Sequence, residues 1–304
     1  MVYIKRIFDH LYMLDVGFPE LPETFASYFL IGEKLAIIDP GPSRFYKNVL
    51  EAVKELGFNY DDVKYILLTH IHLDHAGSVG HLAEYFKNAK ILVHPKGVKH
   101  LIDPKKLNSA SKEVLGENII NLIGELKPVP SELIEEARNY LIYELGNEIC
   151  FVAIFTPGHA SHHVSYFTDA NDILFAGDSA GHMFKGKLSP STPTPFRFDL
   201  AIKSLKEMMV LRPLHVAYTH FGVYERGFDR LMEYYGKLYY WRDVILEHIR
   251  KGASKEEALE FVIKYDHTSR EVKDILSVNP FFEKSLEHSF EGFYQYIVKY
   301  EFKH

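Results

Sequence analysis

Cysteine is almost missing from this chain of 304 residues: Cys150 stands alone, which excludes an internal disulfide and makes a reducing, cytoplasmic setting the expectation. Glutamine is as scarce, with Gln295 alone, and this scarcity beside abundant Lys and Glu gives a composition like that of heat-tolerant proteins. No apolar run approaches the roughly 18 residues of a membrane span; one of the longer ones, Ile149 to Phe155, suits a buried strand. Lys5, Arg6, Asp9 and His10 stand where a signal peptide would have its apolar stretch, so none is expected. An excess of positive charge is also missing. Lys and Arg number 35 against 41 Asp and Glu, a formal net charge of −6, which argues against nonspecific nucleic-acid or anionic-membrane binding.

What is present is material for a core. Residues are 47% apolar and 14% aromatic, which excludes a disordered or collagen-like chain and allows one large domain or a domain with an appendage. Seventeen histidines, unevenly spread, are the first sign of chemistry.

The first 39 residues read as short strands, Tyr3 to Phe8, Leu11 to Val16, Ser27 to Ile31 and Lys34 to Ile38. Asp39-Pro40-Gly41-Pro42-Ser43 is a stop, followed by a helix from Ser43 to about Leu56. A strand at Val63 to Leu68, a helix from about Asp74 to Phe86 and a strand at Lys90 to Val93 continue a strand–helix alternation, so the fold class is α/β. Residues 96–146 look largely helical. Strands return at Cys150 to Phe155, Val164 to Phe167 and Ile173 to Phe175, then a helix near Asp199 to Leu211 and a strand near Leu214 to Tyr218. Beyond Tyr224 the pattern is helical: Leu231, Tyr235, Leu238, Trp241, Ile245 and Ile249 recur at helical spacing up to Gly252. Ser254 with Glu257, and Thr268 with Glu271, have capping-box spacing, and Asn279-Pro280 suits another helix start. The domains expected are 1–225 and a helical extension, 226–304, packed on the body.

The chemistry centres on Thr69-His70-Ile71-His72-Leu73-Asp74-His75. Four potential metal ligands fall within six residues directly after an apolar strand. Imidazole and carboxylate together suit zinc better than calcium or magnesium, which want mostly oxygen. Taken singly, His70 and His72 read as loop histidines and Asp74 as a helix N-cap; taken together, the pattern outweighs that reading. Three later strands end the same way, in Thr156-Pro157-Gly158-His159, Gly177-Asp178-Ser179 and Thr219-His220, each with a ligand-type residue at the strand end.

These residues give the chain its resemblance to the metallo-β-lactamase-fold hydrolases. His70-x-His72-x-Asp74-His75 is similar to the signature motif of that family, and His159, Asp178 and His220 follow in its order, over roughly residues 1–225. Asp39, in Ile38-Asp39-Pro40-Gly41-Pro42, resembles the family's early turn, whose Asp supports the site without touching metal. The resemblance implies a four-layer αββα sandwich with a C-terminal helical extension. It also implies a binuclear centre of two divalent ions, zinc with iron or manganese as alternatives. His70, His72 and His159 would hold one ion; Asp74, His75 and His220 the other; Asp178 would bridge. A hydroxide between the ions would attack a carbonyl, with Asp74 as the catalytic residue that directs it. His182 and Tyr224 are candidates to face substrate or support the site. By contrast, His94, His162, His163 and His215 read as packing or supporting histidines.

The implied activity is hydrolysis of a small ester, thioester or lactone, in a glyoxalase II-like branch; the β-lactamases proper generally lack the bridging Asp. In that branch a helical tail helps hold glutathione. Asn279-Pro280-Phe281-Phe282 echoes its end, but Glu283 stands where a basic residue is expected. The alternative within the fold is a mononuclear iron persulfide dioxygenase, using His70, His159 and Asp178 as a facial triad. An RNase-like reading shares the motif but lacks a basic arm, and a non-catalytic module would show eroded ligands. The expected partner is a small-molecule substrate, not a nucleic acid or a membrane, and a homodimer is allowed.

Overall fold

The computed structural model describes residues 2–17 and 21–302. Two sheets carry the architecture. The first runs in chain order, β1 (Ile4–Phe8), β2 (Leu11–Asp15), β3 (Ala26–Ile31), β4 (Leu35–Ile38), β5 (Val63–Leu67), β6 (Lys90–Val93) and β7 (Ile134–Glu136), antiparallel up to β4 and parallel beyond it. The second contains β8 (Ile142–Gly146), β9 (Ile149–Phe155), β10 (Val164–Thr168) and β11 (Ile173–Phe175). After a separate hairpin, β12 (His182–Phe184) and β13 (Lys187–Ser189), it is completed by β14 (His215–Tyr218) and β15 (Gly222–Glu225), in the order β15-β14-β11-β10-β9-β8.

The period of two along these strands makes the layers. Tyr28, Leu30, Ala36 and Ile38 of the first sheet meet Phe151, Ala153, Tyr166, Ile173, Phe175 and Ala217 of the second in one buried cluster. Their chain neighbours Phe29, Leu35, Ile37, Leu174, Val216 and Tyr218 point the other way, into a cluster shared with the helices. Sheets face each other inside and helices cover both outer faces, the αββα arrangement.

Helices α1 (Tyr46–Glu55), α2 (Leu73–Ala76), α3 (Val79–Leu82), α4 (Val98–Ile102), α5 (Lys105–Leu115) and α6 (Glu117–Ile123) accompany the first sheet; α7 (Phe198–Val210) precedes β14. The expected helix over 74–86 is two short ones. The N–H of Ser78 leaves the helical ladder for Gly41 O (2.9 Å) while its hydroxyl donates to Pro42 O (2.6 Å), breaking the run where it meets the early turn. Residues 96–146 are helical only to Ile123; the strands β7 and β8 follow. β7 has only three residues and β8 is an edge strand whose Ile142 is exposed, so neither shows a buried apolar run.

The tail forms α8 (Gly227–Arg250), α9 (Lys255–Tyr265), α10 (His267–Ser277) and α11 (Ser285–Tyr300). Ser254 and Glu257 close the expected capping box on α9. For α10 the cap is Asp266, not Thr268: its carboxylate accepts from Ser269 N–H and also from Lys237 Nζ and Trp241 Nε1 (2.8 Å) of α8. Asn279-Pro280 begins a turn, and α11 starts only at Ser285. The tail is bound to the body by shared core: Trp241, Phe293 and Ile297 are fully buried in the same cluster as Leu205 and Met208 of α7. Among the described residues no helix is long and apolar enough to cross a membrane.

Candidate metal centre

Four segments deliver the cluster, each just beyond a strand. β5 runs into Thr69-His70-Ile71-His72, and α2 follows at once with Asp74 and His75; His159 follows β9, Asp178 follows β11 and His220 follows β14. All seven are buried except His72, which is half-buried.

Their ligand atoms converge in two groups. His72 Nδ1 lies 2.9 Å from His70 Nε2 and 3.2 Å from His159 Nε2. His75 Nε2 lies 3.3 Å from His220 Nε2, and Asp74 Oδ2 is 3.5 Å from the first and 3.3 Å from the second. Asp178 stands between the groups. Its Oδ2 is 3.5 Å from His159 Nε2, and its Oδ1 is 3.3 Å from His75 Nε2 and 3.8 Å from His220 Nε2. Asp178, His182 and His220 also offer three ligand atoms within 4.8 Å of one another. The residues fit divalent ions: Asp178 Oδ1 is buried with no hydrogen-bond partner, and imidazole nitrogen with carboxylate oxygen is a donor set zinc, iron or manganese accepts.

The electrostatics prepare the same residues. Burial, reinforced by neighbouring histidines, holds His70 well below the usual imidazole range and brings His72 to about 4. Burial, partly offset by Asp178, brings His159 to about 4 as well. These three rings are therefore neutral at pH 7, as ligands must be. Burial would raise the carboxyl of Asp74, but His75 and His220 outweigh it and hold it below the ordinary carboxylate range. For His75 burial is outweighed by Asp178, Asp74 and Asp39, which raise it well above its usual value. A cation at that position would replace the proton.

Four of the five rings are anchored from behind, His70 by Thr69 Oγ1 (3.1 Å). His75 Nδ1 bonds Asp39 Oδ2 (2.9 Å), His159 Nδ1 bonds Ser191 O (3.0 Å) and His220 Nδ1 bonds Thr24 O (3.0 Å). Asp39 has a positive φ of 47° and also accepts Thr69 N–H (2.8 Å), Thr69 Oγ1 (2.7 Å) and Thr219 Oγ1 (2.9 Å). His163 accepts the N–H of Asp178 (3.1 Å) and bonds Thr156 Oγ1 (2.9 Å), the supporting role expected for it. His94 packs on Phe155, and His215 bonds Asn171 O. The ring of His162 lies 6.0 Å from that of His72. Tyr224, a candidate to face substrate or support the site, packs edge-on to Tyr218 with the Arg230 guanidinium over its ring.

Sequence reasoning missed Ser191, Thr24 and Phe25, and touched Phe282 only through its run Asn279-Pro280-Phe281-Phe282. Phe25 and Phe282 set their rings 5.5 and 5.0 Å from that of His220, and Phe282 lies 5.8 Å from His182, so the turn before α11 walls the His220 side. Asn279 of that turn donates to Thr24 Oγ1 (3.1 Å). Thr69 and Thr219 had a signal, since each directly precedes a ligand histidine; Ser191 had none.

An αββα sandwich with histidines and aspartates gathered at its strand ends defines a class of metal-binding proteins related to hydrolases. The chain belongs to the metallo-beta-lactamase superfamily, whose family model matches residues 22–220. It is similar to the metallo-beta-lactamase fold-containing protein ST1585 of Sulfurisphaera tokodaii, 34% identical over 251 residues that cover 81% of this chain and 85% of that protein. The crystal structure of that protein matches with a TM-score of 0.65 at 32% identity, covering 75% of this chain and 85% of that one. The metallo-beta-lactamase family protein TTHA1429 of Thermus thermophilus shares the fold with a TM-score of 0.70 at 20% identity, over 97% of this chain and 95% of that one, so the likeness includes the helical tail. The hydroxyacylglutathione hydrolase of Xanthomonas campestris is 29% identical over 166 residues, 55% of this chain and 49% of that protein.

Proposed function

We propose that the chain is a binuclear metal-dependent hydrolase of a small ester, thioester or lactone. The observation that carries this reading is the placement of Asp178: one buried carboxylate reaches both ligand groups, and the oxygen towards His75 and His220 has no hydrogen-bond partner. His70, His72 and His159 would hold one divalent ion; Asp74, His75 and His220 the other; zinc suits this donor set. Bound there, the ions would supply the charge that polarises a carbonyl and brings the pKa of a water towards neutrality.

The protein's own groups do the rest. Asp74, held ionised, has Oδ2 directed at the second group, and its carboxylate would accept a hydrogen bond from the attacking water and fix the direction of attack. Asp39 holds the His75 ring, and Thr24 holds that of His220, so the donors keep their geometry without reorganisation. Phe25 and Phe282 exclude water on the His220 side. The thioester option draws support from the likeness to a hydroxyacylglutathione hydrolase, though Glu283 offers no cation to a glutathione carboxylate.

The test is metal content together with turnover of p-nitrophenyl esters, thioesters and lactones after zinc or manganese loading. Two metals per chain with turnover on one of these classes is expected. Fewer than two metals and no turnover on any would end the reading. If oxygen is consumed with glutathione persulfide by iron-loaded protein, the mononuclear iron reading takes its place.

A further inference from the structure

The two oxygens of Asp178 do not have equal surroundings. Oδ2 is hydrogen-bonded twice, to His182 Nε2 (2.8 Å) and from Ser191 Oγ (3.1 Å). Oδ1 has no hydrogen-bond partner. A carboxylate oxygen has two lone pairs, so these bonds occupy Oδ2, the atom that faces His159 of the first group, and leave Oδ1, the atom that faces His75 and His220, fully available.

His182 itself differs from the other rings of the cluster. His70, His75, His159 and His220 each have one ring nitrogen turned from the cluster and bonded to oxygen: to Thr69 Oγ1 (3.1 Å), Asp39 Oδ2, Ser191 O and Thr24 O. His182 Nδ1 is buried and has no partner. Ligating a metal through Nε2 would require the proton on Nδ1, leaving a buried N–H with no acceptor, an arrangement that costs the whole desolvation of that group. With the proton on Nε2, the ring donates a charge-assisted hydrogen bond to Asp178. The ring is also locked in place. β12 exchanges backbone hydrogen bonds with His220-Phe221 through Met183, and the His182 ring packs against His220 (4.5 Å between centroids), Phe184 and Phe282.

We propose that His182 is a positioning residue that makes Asp178 an unequal bridge, committed through Oδ1 to the Asp74–His75–His220 site. This rests on the metal-centre reading above. The second site then has two carboxylates against one dication, whereas the first has three neutral histidines and only a hydrogen-bonded oxygen of Asp178. The second site binds more tightly, and the two affinities are set apart by the hydrogen bonds on Oδ2.

Stepwise zinc binding to the metal-free full chain, followed by calorimetry, tests this. Wild type is expected to show two sites whose dissociation constants differ by at least about tenfold. His182→Phe keeps the aromatic packing but removes the donor. It should leave two metals bound and narrow that ratio several-fold by tightening the weaker site; His182→Gln, which restores an N–H, should restore the ratio. Ser191→Ala frees the same oxygen from the other side; His159 Nδ1 then loses the Ser191 Oγ contact (3.1 Å) but keeps the Ser191 carbonyl (3.0 Å), and the ratio should narrow here too, should His182→Phe not fold. Equal affinities in wild type, or a ratio unmoved in the variants, would overturn the inference while leaving the binuclear reading intact. Loss of one metal in His182→Phe would overturn it differently, by making His182 a ligand. No metal at all in wild type would remove both readings together.

Discussion

The carboxylate of Asp39 lies 2.9 Å from Nδ1 of His75, and both side chains are completely buried. The same carboxylate holds Thr69 and Thr219, the residues before His70 and His220, so one charge without access to solvent orients two of the four segments that build the cluster. Replacing it with Asn keeps the shape but removes the charge and one acceptor. Asp39→Asn is expected to weaken metal binding about 10- to 100-fold with the fold retained. Calorimetric titration of the metal-free protein beside its circular dichroism checks this; unchanged affinity would mean that the His75 ring is held by packing alone.

Asp178→Asn separates the two-metal from the one-metal mechanism. In a binuclear hydrolase it should cost one metal per chain and lower kcat by at least about 100-fold, because charge stabilisation and nucleophile activation fail together. In an iron site built from His70, His159 and Asp178 it should empty the only position. Metal per chain in variant and wild type distinguishes them, and full retention of metal and activity would remove Asp178 from the ligand set.

The docking of the tail is testable at two glycines. A Cβ on Gly292 of α11 would run into the backbone oxygen of Thr192 and lie 3.1 Å from Phe196 Cβ, whereas one on Gly236 of α8 would meet nothing within 4 Å. Gly292→Ala should therefore destabilise by about 1–3 kcal/mol through forced separation of α11 from the body. Gly236→Ala should stabilise by up to about 1 kcal/mol, the ordinary helical preference for alanine. Urea unfolding of both variants is the measurement, and the same sign for both would contradict the packing described.

A pH dependence follows from Asp266. Burial alone would raise its carboxyl, but Lys237, Ser269 and Trp241 outweigh burial and hold it at about 2. A folded-state value below the ordinary one of 3.8 means that its contribution is complete above that value and is lost as the pH falls towards 2. That contribution is about 2–3 kcal/mol. Asp266→Asn should lower stability by at least this much at pH 7, since it also leaves the buried Lys237 without its counter-charge. Unfolding midpoints measured from pH 7 down to pH 2 should show the gap from wild type closing with acid; a gap independent of pH would exclude an ionised Asp266 as its source.

The list of cluster residues was legible in the chain because each follows a strand run, and four of them occupy six consecutive positions. The sandwich was legible for the same reason that it forms: alternation such as Tyr28-Phe29-Leu30 assigns faces before any partner is known. What the sequence determined by itself is therefore the fold class, the helical character of the tail and the identities of His70, His72, Asp74, His75, His159, Asp178 and His220. Only the tertiary structure decided which of these atoms meet. His72 finds His159 across 87 positions, His220 is held by Thr24 across 196, and Phe282 of the tail reaches His220 of the body. It also decided that one oxygen of Asp178 is occupied by His182 and Ser191 while the other is bare. The physical reason is that residue type and period are local properties of the chain. Burial and hydrogen-bond geometry belong instead to neighbours that the stacking of strand ends brings together.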